Sequence, residues 1–481
     1  PFSSSHPNTS IAGSDDDHAQ RICEVYVTPP INRNATIGLF SLVCLVIGNM
    51  IGSGVYISSS YALGALGDAR LVLFAWLIGG LHALCGAIAY AALARRVRLS
   101  GGEYAFLSRF VHPAVGLMAG WISLTAGFAA PVAAAALIMG EYIMGVSSPT
   151  LESRMIAAGW IVACGAFHCI HLRTGSWVNN GIVALKLIGF LIFAAACLWF
   201  LTRVDMASSE ISAWSASQTE GNLLNKLMHP SIWMVIIVQL FFISLSYTGF
   251  NASIYIADEV GSSNGASVGD SEPASVVWQS MILACALVTM IYLGLNALFL
   301  ACSTSEGIIS GGDYFVSDVA YRVGGDWLRW VMRATIVLSS ATSVLAMMAT
   351  GPRVMAQMAR DGWLPAALSP SQDTPRMAIV LQGIASAAIV WLATVKELID
   401  YLGLTLTACG ALATSTLWIA YREMNRIRPV RWWEHAALLL YIAGAIVLLF
   451  AAVQIRPTQF WLGVATFAIG GALYAFSRRR R

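Results

Sequence analysis

Two short runs of small and polar residues interrupt long apolar stretches of this sequence. Gly52, Ser53 and Gly54 form the first run, and residues 246–249 form the second. Glycine inside a helix costs about 1 kcal/mol relative to alanine, so each run predicts a point where a helix is unwound. The N–H groups at the start of a half-helix suit a carboxylate, and unwound carbonyl groups suit an ammonium. The two runs therefore predict a site for a small zwitterion, for which an α-amino acid is the obvious candidate.

These small residues have a second interpretation, because they are also common where two membrane helices pack closely. Their positions favour the hinge, since they interrupt the first and the sixth apolar stretch, as in an inverted repeat of five helices plus five. Asn251 is expected beside the second run, against the substrate side chain or as a cap of the backbone. The predicted binding residues are Ile51, Gly52, Ser53, Gly54, Ser246, Tyr247, Thr248, Gly249 and Asn251.

A lysine, Lys186, lies in the middle of the fifth apolar stretch. A charged side chain at the centre of a membrane is costly, and such residues are functional by default. The alternative is a lysine that extends from a helix end to the membrane surface. Hydroxyl groups of the eighth stretch could line the same spot or bond only their own backbone. The predicted coupling residues are Lys186, Ser339 and Ser340.

The elements that must position these residues follow from composition. Of 481 residues, 57% are hydrophobic and 11% are charged, whereas a water-soluble domain carries about a quarter charged residues. A net charge of +3 is also too small for a phosphate-binding surface. Composition therefore excludes a soluble enzyme, a disordered scaffold and a nucleic-acid binder. Long unbroken apolar stretches favour helices over a β-barrel, so the predicted fold class is an all-α polytopic membrane protein.

Twelve membrane-spanning helices are expected, because each needs about 20 apolar residues. They are placed at residues 37–60, 70–94, 114–143, 154–172, 178–202, 231–257, 276–301, 329–350, 377–395, 398–421, 434–453 and 458–477. The polar segments between these spans are too short for a separate soluble domain.

Loop charges predict the orientation of the chain. If the N-terminus is cytoplasmic, the inside loops hold about twice as many Lys and Arg residues as the outside loops, which is the expected bias. Both termini are therefore expected in the cytoplasm, with the spans in the plasma or inner membrane. The expected parts are a cytoplasmic tail (1–35), a first five-helix repeat (36–202), an extracytoplasmic loop (203–230), a second, inverted repeat (231–421), and two peripheral helices with a basic cytoplasmic C-terminus (422–481).

Four motifs, in register along the chain, carry a family resemblance. They are IGSGVY at Ile51–Tyr56, LSGGEYAF at Leu99–Phe106, SYTGFNA at Ser246–Ala252 and GPRVMAQMARDGWLP at Gly351–Pro365. The sequence resembles the amino acid–polyamine–organocation (APC) transporters, and within them the sodium-independent bacterial permeases and the light chains of heteromeric transporters. The resemblance implies a LeuT-type fold of ten core helices and two peripheral helices, and amino-acid transport by alternating access.

The resemblance also implies roles for single residues and shows departures from the family pattern. It places the Lys186 ammonium where sodium-coupled relatives bind an ion, touching the first and eighth spans. Many relatives carry an aromatic gate where this sequence has Leu245, and Phe242 or Phe250 could substitute for it. Light chains that bond to a single-span partner use a cysteine between the third and fourth spans. Residues 144–153 contain none, so no disulfide-linked heavy-chain partner is expected.

The leading hypothesis is secondary active transport of amino acids, as an exchanger or a proton-linked symporter, without sodium. Neutral substrates are favoured over cationic ones, because Leu245 and Phe250 lie near the site and no carboxylate clearly lines it. The alternatives are an amine or polyamine transporter of the same fold and an amino-acid sensor that does not transport. A membrane-embedded enzyme would need paired carboxylates, a metal cluster or a nucleophile with a base within the spans. None is found, so no catalysis, cofactor or metal is expected.

Overall fold

A computed structural model describes residues 38–52, 54–97, 101–146, 148–170, 172–203, 222–260, 272–303, 315–369, 374–455 and 457–480. Every regular element in these ranges is a helix. The first nine α-helices are α1 Leu39–Met50, α2 Gly54–Leu66, α3 Ala69–Ala94, α4 Gly102–Phe110, α5 Pro113–Ile122, α6 Ala130–Met144, α7 Leu151–Ile170, α8 Leu172–Leu201 and α9 Leu223–Leu227. The others are α10 Pro230–Ser246, α11 Glu272–Cys302, α12 Phe315–Arg360, α13 Arg376–Leu392, α14 Val395–Ile419, α15 Tyr421–Ile427, α16 Trp432–Ile455 and α17 Pro457–Arg480.

Most of these helices are built to cross a membrane. Within the described ranges, nine helices are long and apolar enough to do so, and α1 with α2 forms a further span that is bent by 47°. The shorter apolar helices α10 and α13 lie where the sequence predicts the sixth and ninth spans. The all-α polytopic fold of the LeuT type is therefore confirmed. The count of twelve spans and the boundaries of the two repeats stay predictions.

The bent first span defines two faces of the molecule. We call the side on which α1 begins the N-terminal face, and the side on which α2 ends the opposite face. The connection from α2 to α3 lies at the opposite face, and the short helix α4 follows α3 at the N-terminal face. α12 is kinked near its start, where Gly325 has a φ of +66°. Its remaining length carries the hydroxyl-rich stretch of the predicted eighth span.

The third span contains a π-helical segment at Ser123–Ala129, between α5 and α6. Pro131 follows this segment and has no N–H group, so the regular α-helical bond to the carbonyl of Gly127 cannot form. One-turn π segments inside α-helices are frequent at functional sites. This one faces the interior of the bundle, where Ser123, Gly127 and Phe128 line a cavity.

Candidate binding site between the broken helices

The first span is broken where its glycines predict it. α1 ends at Met50, α2 begins at Gly54, and Ser53 between them lies outside the described residues. The Gly52 N–H donates to the Met50 carbonyl at 3.0 Å, so this amide is already used within the turn. The first N–H groups of α2 have no partner within their helix. A Cβ on Gly54 would lie 2.6 Å from the Ser246 Oγ, so glycine is what lets the two broken helices touch.

Lys186 of α8 lies against the broken end of α1. Its Nζ donates to the Ile51 carbonyl at 3.0 Å, to the Thr342 Oγ1 at 3.2 Å and to the Ile47 carbonyl at 3.5 Å. The side chain is fully buried, so it does not extend to a membrane surface. A cation at this position is favoured, because the C-terminus of a helix carries partial negative charge.

The hydroxyl groups of α12 are divided among different partners. Thr342, rather than Ser339 or Ser340, contacts the Lys186 ammonium. Ser339 bonds the Tyr56 hydroxyl at 3.1 Å, and the buried Ser340 hydroxyl has no hydrogen-bond partner in the described part of the chain. Helical phase explains Ser340, which is rotated about 100° from Ser339. Ser339 shares a face with Thr342 but lies nearly one turn earlier in α12, where it meets Tyr56 instead of Lys186. A coupling role for Ser339 and Ser340 stays a prediction.

The sixth span is broken directly after Ser246, where α10 ends. The Thr248 N–H and Oγ1 both donate to the Leu245 carbonyl, at 3.1 and 2.8 Å, which tightens the last turn. Gly249 has a φ of +96°, and a Cβ there would lie 2.9 Å from the Cβ of Asn49. The two breaks are therefore packed against each other, the second one held by a glycine in the left-handed region.

A tyrosine of α11 joins the two breaks, and sequence reasoning missed it. The Tyr292 hydroxyl lies 2.8 Å from the Met50 carbonyl and 3.0 Å from the Ser246 carbonyl. The side chain is fully buried, and its ring packs edge-on against Trp76 and Tyr247. Tyr292 thus supplies a donor to carbonyl groups that the broken helices cannot pair themselves.

The breaks open into a cavity of about 410 Å³ on the opposite-face side. Gly52, Gly54, Ser246 and Thr248 line it, together with the following residues of the surrounding helices: Asn49, Met50, Ser58, Tyr61, Ala65, Pro131, Ala134, Ala135, Ile138, Gln239, Phe242, Leu245, Ser343, Met347, Leu402 and Leu406. None of these described lining residues is charged. The cavity offers backbone polar groups at its base and mostly alkyl and aromatic walls above them.

A second cavity, of about 120 Å³, extends from the breaks toward the N-terminal face. Tyr247, Gly249 and Asn251 line this cavity. Asn251 donates its amide to Glu103 at 2.7 Å. The two candidates for the aromatic gate are separated in space: Phe242 lines the larger cavity and Phe250 the smaller one, with Leu245 lining both.

Comparisons with known proteins agree with this geometry. A family model described as amino acid permease matches residues 37–469. The b(0,+)-type amino acid transporter 1 of Mus musculus is 21% identical over 452 residues, covering 92% of this chain and 87% of its own length. The large neutral amino acids transporter small subunit 2 of Homo sapiens is 23% identical, covering 91% and 79%. The Asc-type amino acid transporter 1 of Mus musculus is 23% identical, covering 91% and 80%.

These relatives contradict one expectation, that there is no disulfide-linked heavy-chain partner. A relative named a small subunit is by its name one part of a larger assembly, so the expectation was wrong. It relied on the lack of a cysteine in residues 144–153. A missing thiol removes one covalent bond, but it does not remove the packing surface that a membrane partner would contact.

Proposed function

The chain belongs to the amino acid permease family, and from that premise we propose that it carries neutral α-amino acids by alternating access, without sodium. The relatives that match it are named as amino acid transporters, and amino-acid transport across a membrane follows from the family. The neutral specificity, the independence from sodium and the orientation with both termini in the cytoplasm are our proposals.

One observation carries the proposal: two broken helices meet at the base of one cavity. The first N–H groups of α2 provide a positive end for the substrate carboxylate. The end of α10, around Ser246 and Thr248, provides carbonyl and hydroxyl oxygens for the substrate ammonium. Opposite backbone dipoles within one cavity suit a molecule whose two charges are separated by a single carbon.

The walls of the larger cavity support a neutral side chain. Leu245, Phe242, Ile138 and Met347 present apolar surface, and no described lining residue is charged. A charged substrate side chain would lose its water there without gaining a partner, which is costly in a low-dielectric site. Apolar side chains gain roughly 25 cal/mol for each Å² that they bury. The cavity therefore favours neutral amino acids over cationic or anionic ones.

Lys186 supports independence from sodium. Its ammonium is surrounded by two carbonyl oxygens and one hydroxyl, the oxygen ligands that a bound inorganic cation would need. A resident ammonium fills that place and stabilises the end of α1. Protonation and deprotonation of Lys186 would then link the break to pH, in exchange or in proton-coupled transport.

The experiment is uptake of radiolabelled amino acids into proteoliposomes, after a thermal-shift screen of the purified protein against the twenty amino acids. We expect stabilisation by a subset of neutral amino acids and uptake that persists when choline replaces sodium. Stabilisation without uptake would instead support a sensor. Uptake of amines that lack a carboxylate would support an amine transporter. Uptake that requires sodium would refute the role given to Lys186.

A further inference from the structure

The smaller cavity contains a carboxylate that the central site does not use. Glu103 lies in the first turn of α4 and is 7% exposed. Its Oε1 accepts hydrogen bonds from the Tyr90 hydroxyl at 2.8 Å and from the Asn251 amide at 2.7 Å. Its Oε2 accepts one from the Tyr255 hydroxyl at 2.5 Å. Glu103, Tyr90, Asn251 and Tyr255 all line the cavity.

The charge of Glu103 has no cationic partner among the described ion pairs. Its three hydrogen bonds come from neutral donors, which stabilise a carboxylate without cancelling its charge. A carboxylate can accept about four hydrogen bonds, so acceptor capacity remains on Oε2. A buried and uncompensated anion is costly unless a cation joins it. The cavity therefore presents a binding position for a small cation.

The smaller cavity adjoins the central site, and the two share part of their walls. The residues that line both cavities are Asn49, Pro131, Leu245, Thr248, Met347 and Leu406. A substrate that moves from the breaks toward the N-terminal face passes Thr248 and then reaches the surroundings of Asn251 and Glu103. Under the proposed function that substrate carries an ammonium group, which is the cation that this route would bring to the carboxylate.

The backbone around Glu103 is held in place through its two neighbours in the sequence, Gly102 and Tyr104. The neighbouring Tyr104 donates its hydroxyl to Asp361, at the end of α12, at 2.6 Å. Gly102, with a φ of +58°, allows the ring of Tyr255 to pack where a Cβ would stand. The helix that carries Glu103 is therefore attached to α12 as well as to the broken sixth span, and its attachment to α12 remains if that span moves.

We propose that Glu103 forms a second subsite on the N-terminal-face side, where it binds the α-ammonium group of the amino acid as it enters or leaves. This inference rests on the proposed function and adds a residue to its route. A structural latch between α4 and the sixth span would use the same hydrogen bonds, so the experiment has to separate charge from hydrogen bonding.

The test measures the KM of transport for one neutral amino acid from each face. It uses proteoliposomes selected for a single protein orientation by the accessibility of a terminal tag. Glu103→Gln removes the charge and keeps the shape. We expect its KM to rise at least tenfold from the N-terminal face and to stay within twofold from the opposite face. Tyr255→Phe keeps the charge and removes one donor, and should raise that KM by no more than about threefold. Glu397→Gln, at an exposed helix cap, is the matched charge control.

Several outcomes would overturn the subsite. These are an equal rise in KM from both faces, no rise, or a Tyr255→Phe effect as large as that of Glu103→Gln, which would indicate a latch. If Glu103→Gln does not fold, butylammonium is tested on the wild type, and it should inhibit from the N-terminal face only. Lack of that one-sided inhibition overturns the subsite. Wild-type vesicles that take up no amino acid would instead refute the proposed function, on which the subsite depends.

Discussion

The substitution Tyr292→Phe removes one hydroxyl from the point where the two broken helices meet. The ring and its contacts with Trp76 and Tyr247 remain, so no cavity is created. What is lost is the donor that lies 2.8 Å from the Met50 carbonyl and 3.0 Å from the Ser246 carbonyl. The change therefore tests whether paired backbone dipoles, rather than side-chain packing, hold the site together.

The expected magnitude follows from the number of protons involved. A hydroxyl donates one proton, so the substitution removes about one hydrogen bond although two carbonyls are near. The Met50 carbonyl keeps its bond from the Gly52 N–H, and the deficit therefore falls mainly on Ser246. A buried acceptor that loses its partner costs about 1–3 kcal/mol. If the bound state requires both breaks in their present arrangement, the substrate Kd should rise by at least about fivefold.

The assay is equilibrium binding of the best neutral amino acid to purified protein, with the thermal midpoint measured in parallel. Tyr401→Phe is the matched control. It removes a half-buried hydroxyl that bonds Thr466 at 2.9 Å, between α14 and α17. We expect the Kd to change less than twofold in that control. An unchanged Kd in Tyr292→Phe would refute the reasoning, because the carbonyl groups would then be satisfied without this donor.

Three further predictions use other contacts. Gly54→Ala should abolish binding of the amino acid, because the added Cβ would lie 3.0 Å from the Ser246 Cα. Gly64→Ala in the same helix is the control: its Cβ would meet no atom within 4 Å, and this variant should bind the amino acid normally in the same titration. Lys186→Ala should slow uptake at least tenfold, because the Ile51 carbonyl loses its cation. It should also weaken the dependence of uptake on pH, because a group that can bind a proton is removed from the site. Initial rates measured at several pH values would show an unchanged pH profile if the role is wrong. At the opposite face, burial opposes ionisation of Asp68, but hydrogen bonds from Arg70 and Lys226 outweigh it and lower its pKa to about 2. This depressed pKa stabilises the fold above about pH 4, and the effect is lost as pH falls toward 2. Asp68→Asn should therefore lower Tm by about 2 °C at pH 7, and the difference from wild type should narrow below pH 4; a constant difference would contradict the pairing.

The sequence predicts well what depends on neighbours along the chain. Glycine and serine within an apolar stretch weaken a helix locally, so the breaks after Met50 and after Ser246 lie where composition places them. Lys186 is recognisable for a similar reason, since one charge in an apolar stretch is visible without a structure. The membrane class follows in the same way from length and hydropathy.

Contacts between distant helices are less accessible to such reasoning. Tyr292 looks like any tyrosine of an apolar stretch, and its role appears only when its two carbonyl partners are placed beside it. Lys186 contacts Thr342, and not the predicted Ser339 or Ser340. Which of these hydroxyl groups reaches the lysine depends on the rotation and axial position of α12, which the sequence of hydroxyl residues does not determine. The pairing of Asn251 with Glu103 joins residues 148 positions apart.

The π-helical segment at Ser123–Ala129 sets the rotational register of the third span. A π turn holds one residue more than an α turn, so deleting a single residue within it would restore a continuous α-helix. Because the π segment takes up the extra residue, the parts of the span on either side of the deletion would keep their relative rotation. Pro131 and Ala134 would therefore still line the larger cavity. The same deletion within the regular helix α6 would instead turn everything beyond it by about 100°, so the π-helical segment is the place where the third span is expected to tolerate the loss of one residue.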